Sequence, residues 1–457
     1  RQDERTASAS YYFKGDRWRV TDFGDDGKAM DAIAAWCKVH GCDFHQATIQ
    51  IGAAFNIVDE LDPKRNAYGF EEVPAPEGMP DGSRPYKEKP FSMDELRLLS
   101  PDAKEEDVKR LGWKCLERIG YVKDGRLLWF ISTPGFPIFM RECPNPKGET
   151  FYKVYQPNNC DKARRFSYFP EGAKPARYTN GLEELKAEYR QFNQRRESEF
   201  RSVPGNEEKP FSEEKLPAAV ICSGERDAIC CRALGYPPVW FNSETYDISP
   251  DEMAEIKRYV ETVYNIPDLD PTGIRRGSAL ALKFMDVRTV WLPAWLGQKK
   301  DNRGKARKDL RDWSDTKHTA RSFEGLLEGA VCTDFLQRSW NEKKGSYTYS
   351  VLPTRLFEFL KLSGFHTLHD DNAKDARFIF IDNFIVREVQ PREIAGYVIK
   401  WAKEHHLSEE KRDALINTRA TGKLDMLDEI DPDFTTYGYD YQLCYPEDKC
   451  YNVPATE

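Results

Sequence analysis

Long hydrophobic runs are missing from this 457-residue chain. No stretch approaches the roughly 20 apolar residues of a membrane-spanning helix, and no secretory leader opens it, so no membrane partner is expected. A disulfide rhythm is missing too. Eleven cysteines, an odd number, are scattered without the paired spacing of a secreted scaffold, which fits a reducing cytoplasm. Internal repeats and low-complexity tracts are lacking, and aromatic residues recur throughout, which excludes wholesale disorder. An initiator is lacking, since Arg1 stands first, and the expectation is a part of a longer product. A Walker loop is lacking as well. Asp22-Phe23-Gly24-Asp25-Asp26-Gly27-Lys28-Ala29 has neither the four-residue spacer nor the hydroxyl residue after lysine that would ligate magnesium. A helicase motor would therefore lie outside this segment.

What is present begins with charge. The net charge is −8, which taken alone argues against a nucleic-acid partner. Local balance matters more, because the Debye length is only about 8 Å in physiological salt. Two segments run against the average. Phe151 to Tyr178 carries Lys153, Lys162, Arg164, Arg165, Lys174 and Arg177 against Asp161 and Glu171. Gly297 to Arg311 carries Lys299, Lys300, Arg303, Lys305, Arg307, Lys308 and Arg311 against Asp301 and Asp309. A charge run by itself is a solvated loop. Flanking an acidic cluster, these two read as a track for a phosphate backbone.

Pattern and turn signals divide the chain into residues 1–60, a small unit; 61–102, a Pro/Gly-rich linker; 103–213, a basic β-rich part; 214–321, an alternating strand–helix part; and 322–457, a mixed helical module. In the first unit the spacing predicts a helix from about Lys28 to His40. Lys104–Arg118 reads as helix, followed by strands at Arg126–Ser132, Pro137–Cys143 and Phe151–Gln156. From Ala218 the order is strand (Ala218–Cys222), helix (Arg226–Leu234), strand (Val239–Asn242), helix (Pro250–Thr262), strand (Val263–Ile266), helix (Thr272–Phe284) and strand (Val287–Leu292). Such alternation implies a parallel sheet covered by helices. In the last part, a helix at Thr354–Ser363, a hairpin turning at Asp382-Asn383 and a helix at Pro391–His406 suggest a winged-helix-like module. Tyr437, Tyr439, Tyr441 and Tyr445 read as packing.

The chemistry lies at the predicted strand ends. Asp268 and Asp270, one residue apart, can face the same side only where the chain leaves a strand into a turn. Like charges about 5 Å apart repel by roughly 3 kcal/mol at an effective dielectric of about 20. A divalent cation removes that penalty, so magnesium or manganese is expected. The competing reading is a solvated turn at a helix N-terminus, where acids are welcome in any case. Glu225 after an apolar strand, and Asp309 and Asp312 beyond the last one, weigh against that reading. The set Cys37-x-x-His40-x-Cys42-x-x-His45 matches no common structural zinc spacing, so zinc is not expected in this segment.

Ser223-Gly224-Glu225 ahead of a helix, Asp268-x-Asp270-x-x-Gly273, and Lys308-Asp309-x-x-Asp312 resemble, in order and strand placement, the three acidic motifs of the Toprim domain. That family includes bacterial primases, phage primase-helicases, type IA and II topoisomerases and some nucleases. Upstream, Phe136–Glu142, Lys153–Gln156 and Lys162–Phe166 resemble the basic subdomain that precedes Toprim in primases. The unit around Trp18–Gly24 and Asp43–Ala47 resembles the latter half of the primase zinc ribbon, without its zinc-binding cysteine pairs. The resemblance implies an α+β multi-domain protein. Its central Toprim α/β domain would be flanked by a degenerate zinc-ribbon-like unit, a basic β-rich subdomain and a C-terminal mixed helical module.

The activity so implied is that of a bacterial, phage or mobile-element DNA primase, the priming part of a primase-helicase. Its partners would be a single-stranded DNA template, nucleoside triphosphates and a helicase domain or protein. Asp268 and Asp270 would hold magnesium, Asp309 and Asp312 would complete the acidic site, and Glu225 would bind metal or act as base. Lys153, Lys162, Arg164, Arg165, Arg177 and Lys308 would contact template or triphosphate. The alternatives are a Toprim nuclease using the same acids and a non-catalytic DNA-binding replication module. A topoisomerase is disfavoured, because no second domain presenting a nucleophilic tyrosine is evident.

Overall fold

The computed structural model describes residues 9–14, 17–22, 29–54, 68–146, 148–159, 165–243, 246–301, 304–316, 319–343, 345–368, 377–382, 385–430, 433–437, 440–444 and 451–453. Two compact units emerge, one of residues 1–91 and 113–174, the other of 92–112 and 175–457. Among the described residues no helix is long and apolar enough to cross a membrane.

The first unit is built on antiparallel strands. In order across the sheet they are Phe166–Phe169, Phe151–Tyr155, Ile138–Cys143, Trp113–Lys123, Arg126–Ile131 and Gly69–Pro74, with Tyr86–Lys89 also pairing onto Trp113–Lys123. Two expectations are corrected here. The helix expected over Lys104–Arg118 ends at Arg110, and from Trp113 the chain is strand. Trp113, Cys115 and Leu116 are buried there beside Ile119 and Val122, a density of core residues that a short surface helix could not bury. The segment expected as linker, 61–102, supplies the strands Gly69–Pro74 and Tyr86–Lys89 to this unit and the helix Met93–Leu99 to the second. Its short strands carry only weak alternation, and their partners lie far away in sequence.

In the same unit a small sheet of Ala9–Lys14, Arg17–Asp22 and Ala29–Met30 precedes two helices. The first helix starts at Ala32 instead of Lys28, because the Asp31 carboxylate accepts the Ala34 N–H at 2.8 Å while Ala29–Met30 pairs with Val20–Thr21. Cys42 Sγ lies 3.7 Å from Gln50 Oε1. The side chain of His45 and most of Asp22–Ala29 lie outside the described residues.

The second unit contains a four-stranded parallel sheet in the order Pro238–Trp240, Leu216–Cys222, Val260–Ile266, Arg288–Thr289. Ala218 to Cys222 are all buried, as expected of a strand covered on both faces. On one face Ala219 and Ile221 pack with Leu185, Met253, Ile256 and Val263. On the other packs the helix Glu225–Ala233, whose Ala228, Ile229, Cys230 and Cys231 are buried. The helix expected to reach Thr262 stops at Lys257, and the strand begins at Val260, where β-branched residues favour the pleated surface.

Beyond it, Arg377–Asp382 and Ile385–Val389 form the expected hairpin. The hairpin joins a mixed sheet with Phe365–Leu368 and Glu429–Ile430, and the helices Pro353–Leu362 and Pro391–Glu404 belong to the same core cluster. Asn383, Tyr439 and Tyr445 lie outside the described residues. Tyr437 and Tyr441 fall on paired strands.

A polar clamp holds the helix Pro250–Lys257. Ser249 caps it, Glu252 closes a capping box, and Arg177 donates through Nε to Glu252 Oε1 at 3.1 Å. Burial alone would raise the Glu252 carboxyl, but hydrogen bonds from Arg177, Tyr246 and Ser249 outweigh it and hold it at about 2, below its usual 4.5. A depressed carboxyl contributes stability above about pH 4.5 that fades as pH falls toward 2. Glu252→Gln should therefore lower the melting temperature at neutral pH. The gap from the parent should narrow on acidification below the ordinary glutamate range, which circular-dichroism melts across pH would show.

Candidate active site

The parallel register puts Cys222 beside Ile266, so both strands leave the sheet at the same edge. Ser223 follows Cys222, its hydroxyl donating to the Ile266 carbonyl at 3.3 Å. Gly224, fully extended, then starts the helix that Glu225 opens. On the neighbouring strand, Asp268 follows Ile266 and Pro267, and only 4% of it is exposed. Asp270 caps the helix Pro271–Lys283, accepting the Gly273 N–H at 2.8 Å, with Pro271 at the first helical position. Gly273 is required because a Cβ there would sit 2.7 Å from the Asp268 Cβ.

The third motif closes onto the second. The Leu269 N–H donates to the Lys308 carbonyl at 2.8 Å. The Lys308 ammonium lies 2.8 Å from Asp268 Oδ2 and also bonds Asp270 Oδ2. Asp309 caps the short helix Leu310–Ser314, accepting the Asp312 N–H at 2.7 Å, while Asp312 Oδ2 accepts the Lys308 N–H at 2.9 Å. Lys299, Lys300 and Lys305, in the basic stretch before it, are exposed.

Sequence reasoning missed one member. Asp227, two residues after Glu225, is buried, and its Oδ1 accepts the Arg311 N–H at 3.0 Å. Burial and then the charges of Asp309 and Asp268 push its carboxyl well above the usual range. Burial, Asp312 and Asp268 push Asp309 up to about 6. Asp270 goes the other way. Burial would raise it, but the Lys308 ammonium and the Gly273 N–H outweigh that and hold it below the usual value. Asp268 is thus common to two groups, one paired with Lys308 and one in which the Arg226 charge only partly offsets burial and repulsion. A signal for Asp227 existed in the sequence: it is an acid directly ahead of Ala228, Ile229, Cys230 and Cys231, an apolar run that is all core.

Glu225 is half-buried at the start of its helix. The basic residues expected as phosphate contacts are placed differently. Lys153 is only 5% exposed, its ammonium 4.4 Å from the Phe166 ring centroid. Arg165 donates to the Asn159 carbonyl at 2.9 Å. Arg177 is held by Glu252 and lies 4.8 Å over the Tyr246 ring. Sequence counts such residues as free charge, but Lys153 is buried under aromatic faces, Arg165 bonds a backbone carbonyl, and Arg177, though exposed, is paired with a carboxylate. Lys162 and Arg164 lie outside the described residues.

Among the described residues no group of three or more His, Cys, Asp or Glu side chains is arranged to hold a metal ion. Lys308 supplies a reason, since its ammonium takes one oxygen of Asp268 and one of Asp270. The donor set nonetheless suits a hard cation. Asp268 Oδ1 is buried with no hydrogen-bond partner among the described residues, and Asp227 and Asp309 repel each other and Asp268. Oxygen ligands of this kind are those magnesium and manganese prefer.

No family model matches the chain, and no curated protein does. Solved structures similar to it include the E. coli primase catalytic core, at 15% identity and TM-score 0.35, covering 87% of this chain and 96% of that one. A DNA primase domain from Pseudomonas aeruginosa is similar at 12% identity and TM-score 0.34, covering 80% of this chain and 92% of that one. A DnaG primase catalytic domain bound to single-stranded DNA is similar at 15% identity and TM-score 0.31, covering 55% and 68%.

Lys308→Met should leave Asp268 and Asp270 without a counter-charge. The variant should melt lower than the parent without divalent ions and gain more from added manganese. Thermal melts with and without the ion read both effects.

Proposed function

We propose that this chain is a primase of the Toprim class, which joins nucleotides into short primers on single-stranded DNA. One observation carries the reading: buried Asp268, with one oxygen on Lys308 and the other without a hydrogen-bond partner among the described residues, beside Asp270 at the exit edge of a parallel sheet. That edge is where α/β sheets bind their ligands. Magnesium or manganese there would neutralise triphosphate charge and orient it for attack by a 3′-hydroxyl.

The chain's own residues divide the work. Asp268 and Asp270 would hold the ion, with Asp309 and Asp312 beside them. Asp309, at about 6, is a carboxyl whose charge a cation would restore. Glu225, at the start of the helix on the same edge, would bind the ion or take a proton from the attacking hydroxyl. Lys308 would turn from the carboxylates toward incoming phosphate, a group its point charge suits. The exposed Lys299, Lys300 and Lys305 offer a positive approach within the same unit.

Purified protein given single-stranded DNA of varied sequence, ribonucleotides and magnesium or manganese should yield short oligomers. Asp268→Asn should lower the yield on the order of a hundredfold, as loss of a group that stabilises transition-state charge does. No product from the parent, where a control primase makes one, would remove the reading. Loss of labelled DNA without nucleotides would replace it with a nuclease.

A further inference from the structure

In the second unit, Leu336–Asn341 and Ser346–Val351 form a two-stranded antiparallel ribbon. Its pairing puts Leu336 opposite Val351, Arg338 opposite Tyr349 and Trp340 opposite Tyr347. Because side chains alternate along a strand, these six share one face. The other face carries Gln337, Ser339, Asn341, Ser346, Thr348 and Ser350, without a formal charge. Leu336 and Val351 pack on the core cluster around Phe335 and Leu356, which anchors the ribbon at its base.

Farther out, aromatic surface is left in water. Trp340 is 55% and Tyr347 50% exposed. They nevertheless hold a defined arrangement, edge to face with centroids 5.0 Å apart. The Arg338 guanidinium lies 4.0 Å from the Tyr347 centroid, and the Lys411 ammonium lies 5.4 Å from that of Tyr349. Large ordered aromatics in solvent mark an interaction surface. The accompanying charge selects the partner. Arg338, Lys343 and Lys344 stand against Glu342 alone in residues 336–351, and the six side chains of the aromatic face include no carboxylate.

We propose that this ribbon face binds single-stranded DNA, with Trp340 and Tyr347 stacking on bases and Arg338, Lys343 and Lys411 neutralising phosphates. Stacking platforms of this kind accept any base and require unpaired ones. A protein partner is less well matched, because flat aromatic faces beside cations suit unpaired bases and phosphates, even with Glu409, Glu410 and Asp413 on the helix that carries Lys411. The choice of DNA over RNA rests on the priming reading above. The binding surface is separate from the acidic site and needs neither metal nor nucleotide.

The test uses the full chain carrying Asp268→Asn, without divalent ions, and fluorescence anisotropy of a labelled oligothymidylate. Binding through the ribbon then stands or falls independently of priming. Trp340→Ser with Tyr347→Ser should weaken binding about tenfold or more, given what each stacked base contributes. Trp340→Phe, which keeps a stacking ring, should recover most of the loss, and thermal melts should be unchanged. Arg338→Gln should flatten the salt dependence.

Unchanged affinity in the double serine variant overturns the proposal. So does equal loss for duplex DNA, which indicates a general charge effect, or a ribbon-dependent affinity for oligouridylate in the absence of any for oligothymidylate. A change in sedimentation with no change in DNA affinity would make the ribbon a contact between copies of the chain, and also overturns it.

Discussion

A carboxylate that is almost wholly buried needs a compensating partner, and Asp268 is such a group. Neighbouring carboxylates sharpen the demand, since unit charges a few ångströms apart interact by roughly 3–4 kcal/mol even at an effective dielectric of about 20. Lys308 meets half of it through one oxygen. The other oxygen has no hydrogen-bond partner among the described residues, and the Arg226 charge does not outweigh burial and repulsion at Asp227 and Asp309. Burial and mutual repulsion accordingly drive the last two toward their neutral forms. The candidate chemistry follows from this imbalance.

The fold creates the imbalance through ordinary local rules. Parallel pairing of Leu216–Cys222 with Val260–Ile266 brings two chain exits to one edge. Helix N-termini beyond those exits welcome negative charge, so Asp270 and Asp309 are stabilised as caps and remain beside Asp268. Their second role costs little, because a capping carboxylate has a second oxygen to offer. Asp270 uses its spare oxygen for Lys308. Gly273 lets the helix approach closely enough for its first turn to touch Asp268.

Positive charge is distributed by a different logic. Lys153 and the fully buried Arg141 face each other across paired strands in the first unit, and Arg177 clamps a helix in the second. These cations contribute to folding through rings and carboxylates. The exposed cations of the second unit also include Lys299, Lys300 and Lys305 before the acidic site and Arg338 and Lys343 on the ribbon, with Lys299 and Arg338 lying over rings. The two exposed sets lie on different elements.

Much of this was legible in the residues themselves. The strand–helix alternation from Ala218 onward, the capping signals at Ser249 and Asp270, and the acids at strand exits are local patterns, and local pattern determines them. Other features depended on partners distant in sequence. The strands at Gly69–Pro74 and Tyr86–Lys89 exist because Arg126–Ile131 and Trp113–Lys123 are there to pair with them. Asp227 belongs to the acidic group because Arg311, 84 residues on, donates to it. Lys153 is buried because Phe166 and Tyr168 lie over it. Sequence by itself determined which residues carry charge and where the chain turns. Tertiary structure alone decided which charges lose their water, because desolvation depends on everything that packs around a group.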